Sequence, residues 1–288
     1  MVYEPILIPT NDRATLELYL SPDDGIPLLY QHGTPATGLP YEENLSALAE
    51  RGLRYVAWSR PGYGGSTRRP GRDVASVAAD ASVALDYIGA QRAYALGWSG
   101  GGPHALALAA LLPTRVIGVA TIGSVAPYRA PDLGWRPGPD DRLVSAALNG
   151  PDALREEIEQ RWPVMRGLTG QEFKELVAGE FAGADLQALS PGFSDWIAAL
   201  FRTALSDSYG GWFDDERAFV GDWGFDATSI TALVHVWHGA DDRGVHPAHG
   251  EWLASHIPTA RAHFRSGDGH LSLHTGSAFA DVLDALIA

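Results

Sequence analysis

Gly97-Trp98-Ser99-Gly100-Gly101 is the stretch from which the rest of the chain can be read. It follows Ala93–Trp98, a short apolar run of strand character. It precedes Pro103–Leu112, a stretch of alanine and leucine with helical character. A G-x-S-x-G pattern between a strand and a helix demands a very tight reversal. Side chains at the flanking positions would clash there, so glycine is required. Ser99 is then expected in a strained conformation, its hydroxyl exposed at the carboxyl edge of a sheet. The amide of Gly100 opens the following helix, where N–H groups are free to bind a developing oxyanion. Without that context the same five residues read as a glycine-rich turn. Other glycine loops fit their motifs poorly. Gly62-Tyr63-Gly64 has Thr67 where a dinucleotide fingerprint wants glycine, and Gly100-Gly101-Gly102 lacks the lysine and hydroxyl of a phosphate loop.

Outward from Ser99, short apolar runs alternate with helical patterns. Thr15–Leu20, Ile26–Tyr30, Leu53–Trp58 and Val116–Ile122 read as further strands. Tyr41–Arg51 reads as a helix stopped by Gly52, and Asp73 as the cap of a helix with Val77, Ala81, Leu85 and Ile88 on its apolar face. From Ala126 to Thr228 there are helical patterns and loops but no convincing strand. The rhythm returns with strand Leu233–Trp237, helix Pro247–His256, strand Ala260–Phe264 and helix Ser277–Ile287. This predicts an α/β fold: a mostly parallel sheet with helices on both faces. The expected segments are a first core part at 1–125, a helical cap at 126–228 and a second core part at 229–288.

A serine hydroxyl is a weak nucleophile at neutral pH and needs a base, and the base needs an acid to orient it. His270, in the loop Gly267-Asp268-Gly269-His270 after the last strand, is the expected base. His274 lies one helical turn later and is the alternative. His104 follows Ser99 too closely on its helix to turn back. The expected acid is Asp242, after strand Leu233–Trp237, with Asp241 its neighbour and rival and Asp268 an outside candidate. The order Ser99, Asp242, His270 matches neither the chymotrypsin nor the subtilisin order. The second oxyanion donor is expected from the amide of Thr34, in His32-Gly33-Thr34-Pro35 after strand Ile26–Tyr30, with Gly33 allowing close approach. A metal site built on His238, His246 and His249 is disfavoured because Pro247 breaks the first turn between them.

Composition narrows the class. The 288 residues carry a net charge of −14, which argues against nucleic acid and anionic membrane surfaces as partners. Cysteine is absent, so there is no thiol nucleophile or disulfide framework. No apolar run approaches the roughly 20 residues needed to span a bilayer. Met1–Asn11 shows no basic start followed by an apolar core, so a cytoplasmic enzyme is expected.

Taken together, His32-Gly33-Thr34-Pro35, Arg60-Pro61-Gly62-Tyr63-Gly64, Gly97–Gly101, His238-Gly239 with Asp242 and Val245, and Gly269-His270 resemble the α/β-hydrolase fold family. The resemblance covers roughly residues 5 to 123 and 230 to 288. It implies an eight-stranded sheet with an antiparallel second strand, and a helical cap inserted before the acid strand. Haloalkane dehalogenases and epoxide hydrolases of this fold use an aspartate where Ser99 stands. Proline iminopeptidases show His-Gly-Gly-Pro-Gly at the oxyanion loop, where this chain has Thr34 and Ala36. The family also often has Asp before Arg-Pro-Gly; here it is Ser59.

Residues 126–228 hold 18 acidic and 9 basic side chains and 14 of the chain's 28 aromatics. A lid over an active site needs apolar lining, and Trp98, Trp196, Phe201, Trp212 and Phe213 are the lining candidates. The same aromatics could instead fix the cap to the core. The expectation is a serine hydrolase of small apolar or aromatic carboxylic esters, with a small molecule as its partner and no cofactor or metal. A homo-oligomer is left open. The rivals are an aminopeptidase or amidase whose cap carboxylates read a substrate amine, a C–C hydrolase or lyase, and a non-catalytic ligand receptor.

Overall fold

The computed structural model describes residues 3–138, 141–181 and 183–288. Met1 and Val2 of the expected first core part, and Pro139, Asp140 and Ala182 of the expected cap, lie outside the described residues.

The strands are β1 (Ile6–Pro9), β2 (Thr15–Leu20), β3 (Ile26–Gln31), β4 (Leu53–Trp58), β5 (Ala93–Trp98), β6 (Val116–Ile122), β7 (Val234–Gly239) and β8 (Ala260–Arg265). They form one sheet in the order β1-β2-β4-β3-β5-β6-β7-β8. β2 runs antiparallel to both β1 and β4, and every other pairing is parallel. Side chains alternate between the two faces as the pleat requires. On one face Leu29, Val56, Ala95 and Val236 pack under helices α2 (Val77–Tyr87), α3 (Gly102–Leu111) and α10 (Ala248–His256). On the other, Leu28, Tyr55, Leu96 and Ala120 pack under α1 (Glu42–Ala49) and α11 (Gly276–Ile287). Both faces are covered, which is why the central strands read as continuous apolar runs.

Two elements differ from the sequence reading. β1 was not expected, because only Ile8 of its four residues faces the core while Ile6 and Leu7 are exposed. Asp73 does not cap α2, which starts at Val77. Its carboxylate accepts the Ser76 N–H at 2.9 Å and organises the turn before the helix.

Between β6 and β7 the described residues form α4 (Arg142–Asn149), α5 (Pro151–Met165), α6 (Gly170–Val177), α7 (Ala184–Ala188), α8 (Pro191–Ala204) and α9 (Gly210–Val220), with no strand. Capping follows familiar chemistry. Thr169 and Glu172 form a reciprocal capping box at α6, and Ser190 accepts the Phe193 N–H at the start of α8.

Candidate active site

β5 delivers Ser99 to the carboxyl edge of the sheet, and one 3₁₀ turn, Ser99–Gly101, leads straight into α3. Ser99 has φ of 56°, the left-handed region that costs a residue with a Cβ of order 1–3 kcal/mol. The neighbours cannot carry side chains. A Cβ on Gly97 would meet the Gly101 carbonyl, and a Cβ on Gly101 would meet the Gln31 carbonyl on β3. Gly100 lies in the first turn, whose N–H groups have no partner within a helix.

His270 is buried at the end of the loop that follows β8. Its Nδ1 donates to Asp242 Oδ2 at 2.9 Å. The other oxygen of Asp242 accepts the N–H of Gly244 at 2.8 Å and of Val245 at 2.7 Å, so the carboxylate is fixed at both ends. Asp241 is exposed, and Asp268 pairs with Arg265 at 3.3 Å. Burial pulls the His270 pKa down, but the carboxylates of Asp242 and Asp185 outweigh it and the net direction is upward. Ser99 and His270 line one cavity, although no hydrogen bond joins them in this structure. Such contacts often tighten only when a substrate is in place.

The other histidines have partners of their own, although His238 Nε2 also lies 3.4 Å from Asp242 Oδ2. His274 is buried against Trp98 and Trp196, with its Nε2 2.7 Å from Tyr30 Oη and its Nδ1 accepting from Asn44 at 3.3 Å. Burial lowers its pKa to about 3. His104 Nδ1 donates to the Gly100 carbonyl at 3.0 Å, tying α3 to the turn after Ser99. His238 Nε2 donates to the Val245 carbonyl at 2.9 Å, and His249 Nδ1 accepts the Ala126 N–H at 3.0 Å.

The loop after β3 lies across from Ser99, and Gly33, Thr34 and Pro35 line the same cavity. A Cβ at Gly33 would find ordinary contacts, 3.5 Å from Trp98 and 3.6 Å from Ser99, so close approach does not require glycine there. The loop is held by a buried ionic cluster. Arg60 donates to the carbonyls of His32 at 2.6 Å and Gly33 at 3.0 Å, and to Thr34 Oγ1 at 2.9 Å. Asp215, on α9, accepts from Arg60 and Arg72 at 2.6 Å each, from Tyr63 Oη at 2.9 Å and from Thr34 Oγ1 at 2.8 Å. Burial would raise the Asp215 carboxyl, but the two guanidinium groups hold it well below the usual range.

A second carboxylate of the insertion reaches the other loop. Asp185, on α7, accepts the N–H groups of His270 at 2.8 Å, Leu271 at 2.8 Å and Ser272 at 2.9 Å. Neither aspartate was singled out from the sequence. They lie 155 residues from Arg60 and 85 from His270, and no local pattern marks such contacts.

The cavity has a volume of about 430 Å³, within the usual range for small-molecule sites. Its walls are mainly apolar: Ala36, Val164, Met165, Phe173, Leu176, Val177, Phe181, Ile197, Leu200 and Leu271 join Trp98 and Phe201. Of the five aromatic lining candidates, Trp98 and Phe201 line this cavity and the other three lie elsewhere. Trp196 lies behind the wall, donating to the Leu39 carbonyl at 3.1 Å and stacking on His274. Trp212 is buried in a separate cluster with Tyr63 and Leu154, and donates to Glu216 at 3.1 Å. Phe213 sits under the Arg155 guanidinium, beside Trp162 and Tyr209. Trp196 and Trp212 fasten the insertion to the rest of the chain and Phe213 packs within it, and composition alone could not separate such packing from lining. Gln160, Arg161 and Glu180 are the charged or amide side chains at the cavity, and the sequence reading named none of them.

Residues 26–277 match the profile of the alpha/beta hydrolase fold. The chain belongs to the α/β-hydrolase fold family. Within the family it is 26% identical to a non-heme chloroperoxidase of Streptomyces lividans, over 78% of this chain and 77% of that one. It is 29% identical to a bifunctional esterase/perhydrolase of Acinetobacter calcoaceticus, again over 78% and 77%. Among solved structures, an esterase from Exiguobacterium antarcticum superposes with a TM-score of 0.74 at 23% identity, covering 97% of each chain. As a member of this family the chain is a hydrolase-type enzyme. Among the described residues no helix is long and apolar enough to cross a membrane.

Proposed function

We propose that this α/β hydrolase cleaves small, neutral, apolar or aromatic carboxylic esters through an acyl-enzyme on Ser99. The observation that carries the reading is the meeting, in one apolar cavity, of a serine held at positive φ with a histidine whose Nδ1 donates to a fixed carboxylate. His270 Nε2 takes the Ser99 proton as Oγ attacks the ester carbonyl. The N–H groups of Thr34 and Gly100 receive the oxyanion. His270 returns the proton to the departing alcohol, and water, deprotonated by the same nitrogen, releases the acid. Asp242 holds the ring in the tautomer that leaves Nε2 free and stabilises the imidazolium. The insertion is the cap that closes this cavity over residues 126–228.

The lining favours an ester over an amine-bearing substrate. Of the acidic side chains of the insertion, only Glu180 lines the cavity among the described residues, and it is exposed with Arg161 on the same lining. An ammonium group would find no buried partner there. A second reading has its own support. The relatives named above include a chloroperoxidase and an esterase/perhydrolase, and hydrogen peroxide in place of water would release a peracid from the same acyl-enzyme. Within the same proposal we place the enzyme in the cytoplasm.

The test is a panel of p-nitrophenyl esters against aminoacyl-nitroanilides, run on the wild type and on Ser99→Ala. Turnover of the esters that disappears with Ser99 is expected. A preference of roughly 100-fold for free-amine substrates over their N-acetyl forms would overturn the ester assignment.

A further inference from the structure

We infer that Asp185 is a positioning residue for His270, holding the histidine loop by its backbone from a seat outside the substrate cavity. The inference rests on the serine mechanism proposed above and concerns how its base is kept in place.

The His270 loop has little to hold it by composition. It contains Gly267, at φ of 85°, and Gly269. Besides the His270–Asp242 bond, its contacts are the Gly269 N–H donated to Ser272 Oγ at 2.9 Å, the His270 carbonyl accepting from Trp98 Nε1 at 3.2 Å, the Asp268 carbonyl accepting the Asp241 N–H at 3.0 Å, and the partly exposed Arg265–Asp268 pair at 3.3 Å. Asp185 adds three N–H groups in succession. One oxygen takes His270, and the other takes Leu271 and Ser272. The residue is 1% exposed, is in no ion pair among the described residues, and does not line the cavity. Its charge is met by backbone dipoles alone, an arrangement that anchors the chain in one conformation. Gly269 completes the seat, because a Cβ there would be driven into the Asp185 carboxylate. The carboxylate can sit where it does only because that position has no side chain.

The groups facing His270 come from several elements. Asp242 comes from the loop after β7, His238 from β7 itself, His274 from the 3₁₀ turn after the loop, and Asp185 from α7. Burial keeps His238 and His274 below the usual histidine range, so the two aspartates are the charges that act on the ring. Asp242 acts through contact and Asp185 through the loop and its field. Both oppose the burial that would depress His270.

The experiment is steady-state kinetics with a p-nitrophenyl ester across pH on Asp185→Asn, Asp185→Glu and the surface control Asp152→Asn. In Asp185→Asn the amide matches the shape but offers one oxygen to three donors and carries no charge. The expected result is kcat lower by on the order of 10- to 100-fold with KM within about threefold of wild type. The acid limb of kcat/KM should move to lower pH, because a charge favouring protonated His270 is gone. Asp185→Glu should return the limb toward wild type, and Asp152→Asn should match wild type throughout. A wild-type kcat and limb in Asp185→Asn, or a loss confined to KM or to thermal stability, would overturn the inference. Should Asp185→Asn fail to fold, Gly269→Ala decides. It keeps the charge and displaces it from its seat, and wild-type kcat there overturns the inference equally. Ser99→Ala separates the two levels. If it retains activity, the nucleophile assignment fails. If it is inactive while Asp185→Asn is normal, only the positioning role fails.

Discussion

Two buried carboxylates of the insertion, Asp215 and Asp185, reach the loops on either side of Ser99, and their surroundings are opposite. Asp215 meets two guanidinium groups, a phenol and a hydroxyl, and its partners in turn bind the loop carrying Thr34. Asp185 meets three backbone N–H groups and no cation. The first arrangement is a buried ion cluster, in which losing one partner leaves charges stranded. The second fixes a backbone conformation with no countercharge to strand. The same residue type should therefore matter chiefly for stability in one place and for catalysis in the other.

The largest effect expected lies where the grip on the histidine is direct. Asp242→Asn should lower kcat by about 10⁴-fold, because an amide holds the wrong tautomer, whereas exposed Asp241→Asn should stay within about threefold. A reversed order would mean that the histidine takes its orientation from a different carboxylate in solution. Next comes the ion cluster. Asp215→Asn should cost on the order of 3–5 kcal/mol, seen as a fall of roughly 10 °C in Tm, because Arg60 and Arg72 lose their carboxylate. A larger Tm loss from Asp185→Asn than from Asp215→Asn would break the comparison.

Glu216 sharpens the comparison from the neighbouring position on α9. It is buried with one donor, Trp212, and burial, reinforced by Asp215, pushes its pKa up to about 8. The folded pKa lies above the unfolded carboxylate value. Its contribution is therefore intact below about pH 4.5 and is lost progressively as pH rises to about 8. Glu216→Gln should keep the tryptophan bond and remove that loss. Calorimetry at pH 5 and pH 9 should show the variant retaining roughly 2–4 kcal/mol more of its stability at the higher pH. An identical decline in both proteins would contradict the raised pKa. The smallest effect belongs to Arg68, whose 42% exposed side chain pairs with Asp214 at 2.8 Å at the same seam. Asp214 is itself only 2% exposed, so Arg68→Ala leaves a buried carboxylate without its cation and should cost roughly 1–3 kcal/mol by urea denaturation.

The comparison also explains what the chain could and could not reveal in advance. Ser99, His270 and Asp242 each follow a strand of a sheet whose apolar runs are local, so their meeting at one edge follows from the strand order. Gly97 and Gly101 are legible for the same reason, since the turn they permit involves neighbours in sequence and one adjacent strand. β1 was missed because it shows the core a single residue, too little to make a pattern. Asp185 and Asp215 were missed because their partners lie on other elements far along the chain. In the sequence they are two acidic residues among 18 in the insertion, where most carboxylates sit on solvated helix faces. Trp196, Trp212 and Phe213 show the same limit. An aromatic side chain fills a wall or a seam equally well, and only the packing decides which.

The central claim is that turnover passes through an acyl group on Ser99. Its most direct test is to mix the enzyme with a slowly deacylating p-nitrophenyl ester, follow p-nitrophenol release in the first turnover, and quench in acid for peptide mass spectrometry. A burst equal to the enzyme concentration and an acyl mass on the peptide containing Ser99 are expected, both absent in Ser99→Ala. Turnover without a burst or adduct, or an adduct on any other residue, would contradict that claim.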